Sequence, residues 1–292
     1  MSSEQPLDNV TVRRATTEDT AACGQICFDA FNKINQSHGF PCDFPSLDVA
    51  TQFISMLFSH HGFYCVVAET DGRIVGSNCL NERSTIAGVG PVTIDPQVQN
   101  RGAGRLLMQA VLDRATERRS AGVRLIQAAF HSRSLSLYAS LGFDIREPLS
   151  CMQGRTLQRT AHGCTVRPAQ STDLNACKTL AIQVHGFDRG QELAECIEHG
   201  TAVLVERGGR ITGYSSLLGS FGHSTAETNL DMQALIASAD SFAGAGILVP
   251  SRNSALLRWC LANGLRVTQP MTLMSTGLYN EPEGSWLPSV FY

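Results

Sequence analysis

The residues of this 292-residue chain best suited to chemistry lie between positions 92 and 105. Val92-Thr93-Ile94-Asp95-Pro96 reads as the end of a buried strand, followed by Gln99-Asn100-Arg101-Gly102-Ala103-Gly104-Arg105 and a helix. On that helix Leu106, Leu107, Ala110 and Val111 share one face, while Gln109, Asp113, Glu117 and Arg118 populate the other. A helix start leaves backbone N–H groups without internal partners, at the positive end of the helix dipole, and glycines there let a phosphate oxygen approach the backbone. Arg101 and Arg105 add positive charge. A tight strand-to-helix turn whose glycines serve only packing is spelled the same way, so Gly-x-Gly alone does not separate the two readings. Two other phosphate loops are excluded, because there is no Gly-Lys-Ser/Thr ending and no third glycine with an acidic residue about 20 positions on.

The elements that must hold this turn occur twice. Val12-Arg13-Arg14-Ala15 with Thr17-Glu18-Asp19 is matched by Val166-Arg167-Pro168-Ala169 with Ser171-Thr172-Asp173. Each reads as a strand, a helix cap and an amphipathic helix, Ala21 to Phe31 in one half and Leu174 to Val184 in the other. Hairpins follow, turning at Asp71-Gly72 and at Gly208-Gly209. Later, His131 to Phe143 is echoed by Asn253 to Leu265, each a short helix that stops at a glycine, Gly142 or Gly264. A repeated plan of this length predicts two α/β (α+β) domains, residues 1–153 and 164–292, joined by a polar linker over 154–163. The apolar tail from Trp286 to Tyr292 is expected to dock as a strand.

With these elements in place the first half resembles the GNAT superfamily of acyl-CoA-dependent N-acetyltransferases. The family's pyrophosphate loop, Gln/Arg-x-x-Gly-x-Gly/Ala, is matched in full by Gln99 to Gly104. Its next motif, Asn-x-x-Ala-x-x-x-Tyr-x-x-x-Gly-Phe, is matched by His131, Ser134, Tyr138 and Gly142-Phe143, with His131 replacing Asn and Ser134 replacing Ala. The resemblance implies tandem GNAT-like domains, each a mixed, mostly antiparallel sheet flanked by helices, with acetyl-CoA in a cleft between splayed strands. It implies that backbone groups around Val92, Thr93 and Ile94 pair with the pantetheine, that Gln99, Asn100, Arg101, Gly102, Ala103, Gly104 and Arg105 hold the pyrophosphate, and that His131 and Ser134 line the site. Tyr138 would then protonate the departing thiolate, since a phenol is still protonated at neutral pH. A backbone N–H would stabilise the oxyanion formed on amine attack.

Many relatives carry a base on the strand before the loop, yet Ala87 to Val92 contains no carboxylate. Glu82, Asp43, His38, His60 and His61 remain as candidates. The second half resembles the degenerate C-terminal GNAT-like domain of some tandem bacterial acetyltransferases. It has no phosphate loop between Thr212 and Pro250, since Phe242-Ala243-Gly244-Ala245-Gly246 runs directly into the strand Ile247-Leu248-Val249, and Cys260 stands at the Tyr138 position.

Composition bounds the rest. With 43% hydrophobic residues the chain can build full cores. Charge is balanced at 23 basic against 26 acidic residues, a net of −3, so neither nucleic acid nor an anionic membrane is expected as a partner. Only Lys33 and Lys178 among the basic residues are lysines. The ten cysteines show no C-x-x-C pair or Cys/His ligand spacing, which predicts no metal site and reduced thiols. No apolar run approaches a membrane span, and Met1 to Pro6 lacks the regions of a signal peptide, so a cytoplasmic protein is expected. The expected activity is acetyl transfer from acetyl-CoA to a small-molecule or peptide amine by direct attack in a ternary complex. A CoA-binding sensor or interaction module without turnover, and a transferase using a longer acyl-CoA, are the alternatives.

Overall fold

A computed structural model describes residues 9–159 and 163–292, so Met1 to Pro6 and part of the expected linker lie outside the described residues. The first half contains β1 (Thr11–Arg14), α1 (Thr20–Ser37), α2 (Leu47–Ser59), β2 (Phe63–Thr70), β3 (Arg73–Asn81), β4 (Ile86–Val89), β5 (Thr93–Ile94), α3 (Ala103–Glu117), β6 (Gly122–Ala128), α4 (Ser132–Ser140) and β7 (Asp144–Gln153). The second contains β8 (Thr165–Pro168), α5 (Leu174–His185), α6 (Gly190–Glu198), β9 (Val203–Arg207), β10 (Arg210–Ser215), β11 (Ser224–Ala226), α7 (Asn229–Ser238), β12 (Ile247–Pro250), α8 (Ser254–Ala262), β13 (Arg266–Gly277) and β14 (Ser285–Leu287).

Local chemistry explains most of these elements. Asp71 and Gly72 turn the β2–β3 hairpin with φ of 49° and 72°, and Gly208 and Gly209 turn β9–β10 with 61° and 76°, the left-handed pair a two-residue hairpin loop needs. Gly142 and Gly264 follow α4 and α8 at φ of 86° and 90°. α1 continues past Phe31 to Ser37, further than its apolar pattern indicates, because its last turns still bury a side chain, that of Asn35.

The sheets are a nine-stranded one, ordered β1-β2-β3-β4-β6-β13-β7-β12 with β5 paired to β3, and a five-stranded one, β14-β11-β10-β9-β8. Every pairing is antiparallel except β4 with β6. The tandem halves exchange strands: β13 of the second half lies between β6 and β7, and β7 of the first lies between β13 and β12. At this seam Leu149, Cys151, Leu248, Leu273 and Trp286 form one apolar cluster. The tail docks as expected, with β14 on β11 and the Val290 N–H donating to the Ser220 carbonyl.

The echo at the start of each half has a shared physical cause. Arg13 forms two hydrogen bonds to Asp19, at 2.7 and 2.8 Å, and one to Glu69 on β2 at 2.7 Å. Arg167 forms two to Asp173, at 2.7 and 2.9 Å, and two to Glu206 on β9, at 2.7 and 3.0 Å. Each aspartate also accepts the backbone N–H of a residue three before it, Thr16 or Gln170.

The Arg13 guanidinium, with the Thr16 N–H, holds the Asp19 carboxyl down to about 2 against the opposing effect of burial. A carboxyl depressed on folding stabilises the native state above its unfolded value and loses that contribution as pH falls to the folded one. Asp19→Asn is expected to cost about 1–2 kcal/mol at neutral pH. Its melting-temperature deficit relative to wild type should close between about pH 4 and pH 2.

Candidate active site

A wedge opens where two strands part. β4 runs parallel to β6 from Ile86 opposite Gly122 to Val89 opposite Leu125, and there the pairing stops. Gly90, at a φ of 137°, turns the chain away through Pro91, and β5 returns to β3 with Thr93 opposite Ser77. β6 instead continues to Ala128, paired with Met271 of β13. A cavity of about 430 Å³ fills the wedge, with Val92, Ile94, Leu125 and Ala128 on its walls. The Asp95 N–H donates to the Val75 carbonyl at 2.9 Å, and antiparallel alternation therefore turns the backbone groups of Ile94 to the open edge. Thr93 does not line the cavity: its hydroxyl is 2.9 Å from that of Ser77 on the buried face of the sheet.

At one end of the cavity stands the glycine turn. Asn100 and Gly102 adopt left-handed conformations, φ 68° and 95°, and Gly102 begins α3 with no side chain capping its N–H groups. Side chains cap α2, α7 and α8, those of Ser46, Thr228 and Asn253, whereas α1, α4, α5 and α6 share with α3 the lack of such a bond; α3 alone among these starts at a Gly-x-Gly turn on the cavity. A Cβ at Gly104 would meet Leu137 and Ile94 at ordinary contact distances, 3.5 and 3.7 Å. Protein packing therefore does not require glycine there, whereas close approach by a ligand would. Gln99, Asn100, Gly102, Ala103, Gly104 and Arg105 line the cavity; Arg101 does not, and its buried Nε has no partner. Arg105 donates to the Ser140 hydroxyl at 2.6 Å. Arg133, which the motifs do not mark, donates to Gln99 Oε1 at 2.8 Å, while Gln99 Nε2 donates to the Ile94 carbonyl at 3.3 Å. Arg133 thus braces the loop and brings a further cation to the cavity wall.

α4 presents His131, Ser134 and Tyr138 to the same space. The His131 Nδ1 and Ser134 hydroxyl are hydrogen-bonded, and burial, assisted by the Arg133 charge, pushes the imidazole down to about 4, leaving it neutral at pH 7. Tyr138 is 6% exposed. Burial pushes its phenol up to about 12 against a hydrogen bond with Ser134, so at neutral pH it carries its proton.

Of the five base candidates, only Asp43 reaches the cavity. Glu82 is engaged by Arg114 at 2.7 Å and Arg118 at 3.8 Å. His60 lies 3.4 Å from Glu195 of the second half and stacks on His61, and the His38 ring packs against that of Phe130 at a tilt of 40°. The end of the cavity holding Asp43 is closed by Phe221, Gln269, Met271 and Phe291. No motif points to these second-half residues; the only sequence signal is the apolarity of the tail.

The corresponding helix start in the second half is built differently. Only Glu227 and Thr228 separate β11 from α7. Thr228 caps the helix by accepting the Asp231 N–H at 3.4 Å, and the fully buried Asp231 carboxylate accepts from Arg207 at 2.8 Å and Thr212 at 2.7 Å. An anion there would meet a carboxylate. Residues 242–246 lead straight into β12, and Cys260 is buried, its thiol pushed up to about 12 by desolvation.

Comparison with known proteins agrees with this geometry. The family model described as Acetyltransferase (GNAT) family matches residues 28–143. No curated protein matches the chain in sequence. Among solved structures, a putative acetyltransferase from Pyrococcus horikoshii is similar over 98% of this chain and 97% of its own, with 18% identity and a TM-score of 0.72. A GCN5-related N-acetyltransferase from Sphaerobacter thermophilus is similar over 94% of this chain and 98% of its own, with 16% identity and a TM-score of 0.63. Both likenesses run through the two halves, so the whole chain shares their α/β fold, and residues 28–143 are similar to the acetyltransferase domain that the GNAT family model describes.

Proposed function

We propose that the protein transfers an acetyl group from acetyl-CoA to an acceptor amine by direct attack within a ternary complex. The observation that carries this reading is the uncapped start of α3, with Gly102 and Gly104, at the mouth of a cleft that continues to Tyr138. The residues present fit the donor. Free N–H groups at the start of α3, together with Arg105 and Arg133, suit a pyrophosphate, and the open edge at Ile94 suits the amides of a pantetheine. When bound, the thioester supplies the acyl group. The chain's own part is to orient it with Val92 and Ile94, to position it through Gln99, Asn100, Gly102, Ala103, Gly104 and Arg105 with His131 and Ser134, and to keep on Tyr138 a proton for the departing sulfur.

In this reading residues 1–153 form the catalytic domain, 154–163 the linker and 164–292 a GNAT-like domain without a donor site. The matched Arg13–Asp19 and Arg167–Asp173 pairs support an origin by duplication. A cytoplasmic location is supported by ten cysteines that are all free thiols. Among the described residues no helix is long and apolar enough to cross a membrane.

Acetyl-CoA at about 100 times its dissociation constant should raise the melting temperature by roughly 5 °C, the shift expected from about 2.7 kcal/mol of linkage. Gly104→Val combined with Arg105→Glu should remove the shift; a shift that survives in the double variant would place the pyrophosphate elsewhere. For the proton donor, Tyr138→Phe is expected to lower kcat about 100-fold in an assay of thiol release while leaving the acetyl-CoA shift intact. Equal turnover in the two proteins would take the acid role from Tyr138.

A further inference from the structure

The far end of the cavity is an aromatic box containing one carboxylate. Phe31, Phe44, Phe53, Phe221 and Phe291 line it. Their rings touch in series, Phe31 to Phe44 and Phe44 to Phe53 at 5.5 Å, Phe53 to Phe221 at 5.4 Å and Phe53 to Phe291 at 5.7 Å between centroids. Against them lies Asp43, whose oxygens accept from Asn35 Nδ2 at 3.0 Å and Gln269 Nε2 at 3.1 Å. Among the described residues no cation neighbours this carboxyl, and burial raises it above its usual range. Gln269 Oε1, on a side chain that is 5% exposed and lines the same cavity, has no hydrogen-bond partner.

A desolvated carboxylate without a counter-charge and a buried acceptor without a donor are each costly to the protein alone. One chemical group relieves both. An alkylammonium carries a positive charge and several N–H donors, enough for Asp43 and Gln269 together. The body attached to it would meet the phenylalanine rings. A polyamine is a poor match, since its second ammonium would face those rings with no second carboxylate. An α-amino acid is also a poor match, because its own carboxylate would approach Asp43.

We propose that this end of the cavity binds an arylalkylamine, a primary amine on an aromatic body, with the ammonium on Asp43 and Gln269 and the ring among the phenylalanines. Phe221, Gln269 and Phe291 come from the second half, so that half takes part in recognition although it has no donor site. Naming this ligand as the acetyl acceptor rests on the transferase reading above; the binding site itself does not.

The test is calorimetric titration of 2-phenylethylammonium into the full chain, with and without CoA. It should bind at least about 10-fold more tightly than 2-phenylethanol, spermidine or phenylalanine, as expected for one charge-assisted hydrogen-bond set. Asp43→Asn should weaken it about 10-fold or more, and Phe221→Ala about 10-fold, with the acetyl-CoA melting shift retained in both. Failure of the wild type to bind it, tighter binding of spermidine or phenylalanine, or affinity unchanged in Asp43→Asn would overturn the proposal. The ligand series on the wild type decides the matter even where a variant does not fold. Amine binding without any acetyl-CoA shift would support the amine site and overturn the transferase reading instead.

Discussion

A strand buried within a sheet must have both of its hydrogen-bonding edges paired, and in this chain both partners of β7 and one of the two partners of β6 come from the other half of the sequence. Much of the architecture follows from that requirement. β6 is tied along one edge to β13, from Gly122 opposite Gly277 to Ala128 opposite Met271. β5 is tied to β3. With both held elsewhere, neither can close the gap beyond Val89, and the wedge between them stays open as a cavity rather than collapsing. The same strand that holds β6 in place also sets Gln269 and Met271 on the cavity wall.

Electrostatics divides this space into two ends of opposite character. Around α3 the groups without a counter-charge are donors and cations: uncapped backbone N–H groups, Arg105 and Arg133. Around Asp43 they are that carboxyl and the unpartnered Gln269 Oε1, set among phenylalanine rings. Between the ends, neutral His131 and protonated Tyr138 add no net charge. A cavity polarised in this way can hold an anionic and a cationic ligand together without either facing a like charge.

What the sequence made legible was local. The turn at Asp71-Gly72, the left-handed glycines at 142 and 264 and the start of α3 depend on residues close together in the chain, and each is visible in the spelling. So are the two motifs that bring Gln99 to Gly104 and Tyr138 to one cavity. The exchange of β7 and β13 was not legible, because an alternating strand reads the same whichever neighbour it pairs with. Asp43 was one of five candidates until the fold showed the other four away from the cavity, three of them tied to charged partners or stacked beside one. Gln269, Phe221 and Phe291 needed long-range packing to become neighbours of Asp43, and Arg133 needed the folded loop to reach Gln99.

The start of α7 shows how hard it is to pass between the two kinds of helix terminus. Asp231 is buried and joined to Thr228, Arg207 and Thr212, so removing the carboxylate alone leaves three polar groups without their partner. Lengthening the two-residue link from β11 alone leaves the carboxylate where an anion would sit. Neither change alone turns the capped terminus into an anion-binding one, and the first lowers stability before any binding can compensate. The cap therefore works as a lock: a helix start sealed by its own side chains is not opened into a phosphate cradle by either change alone.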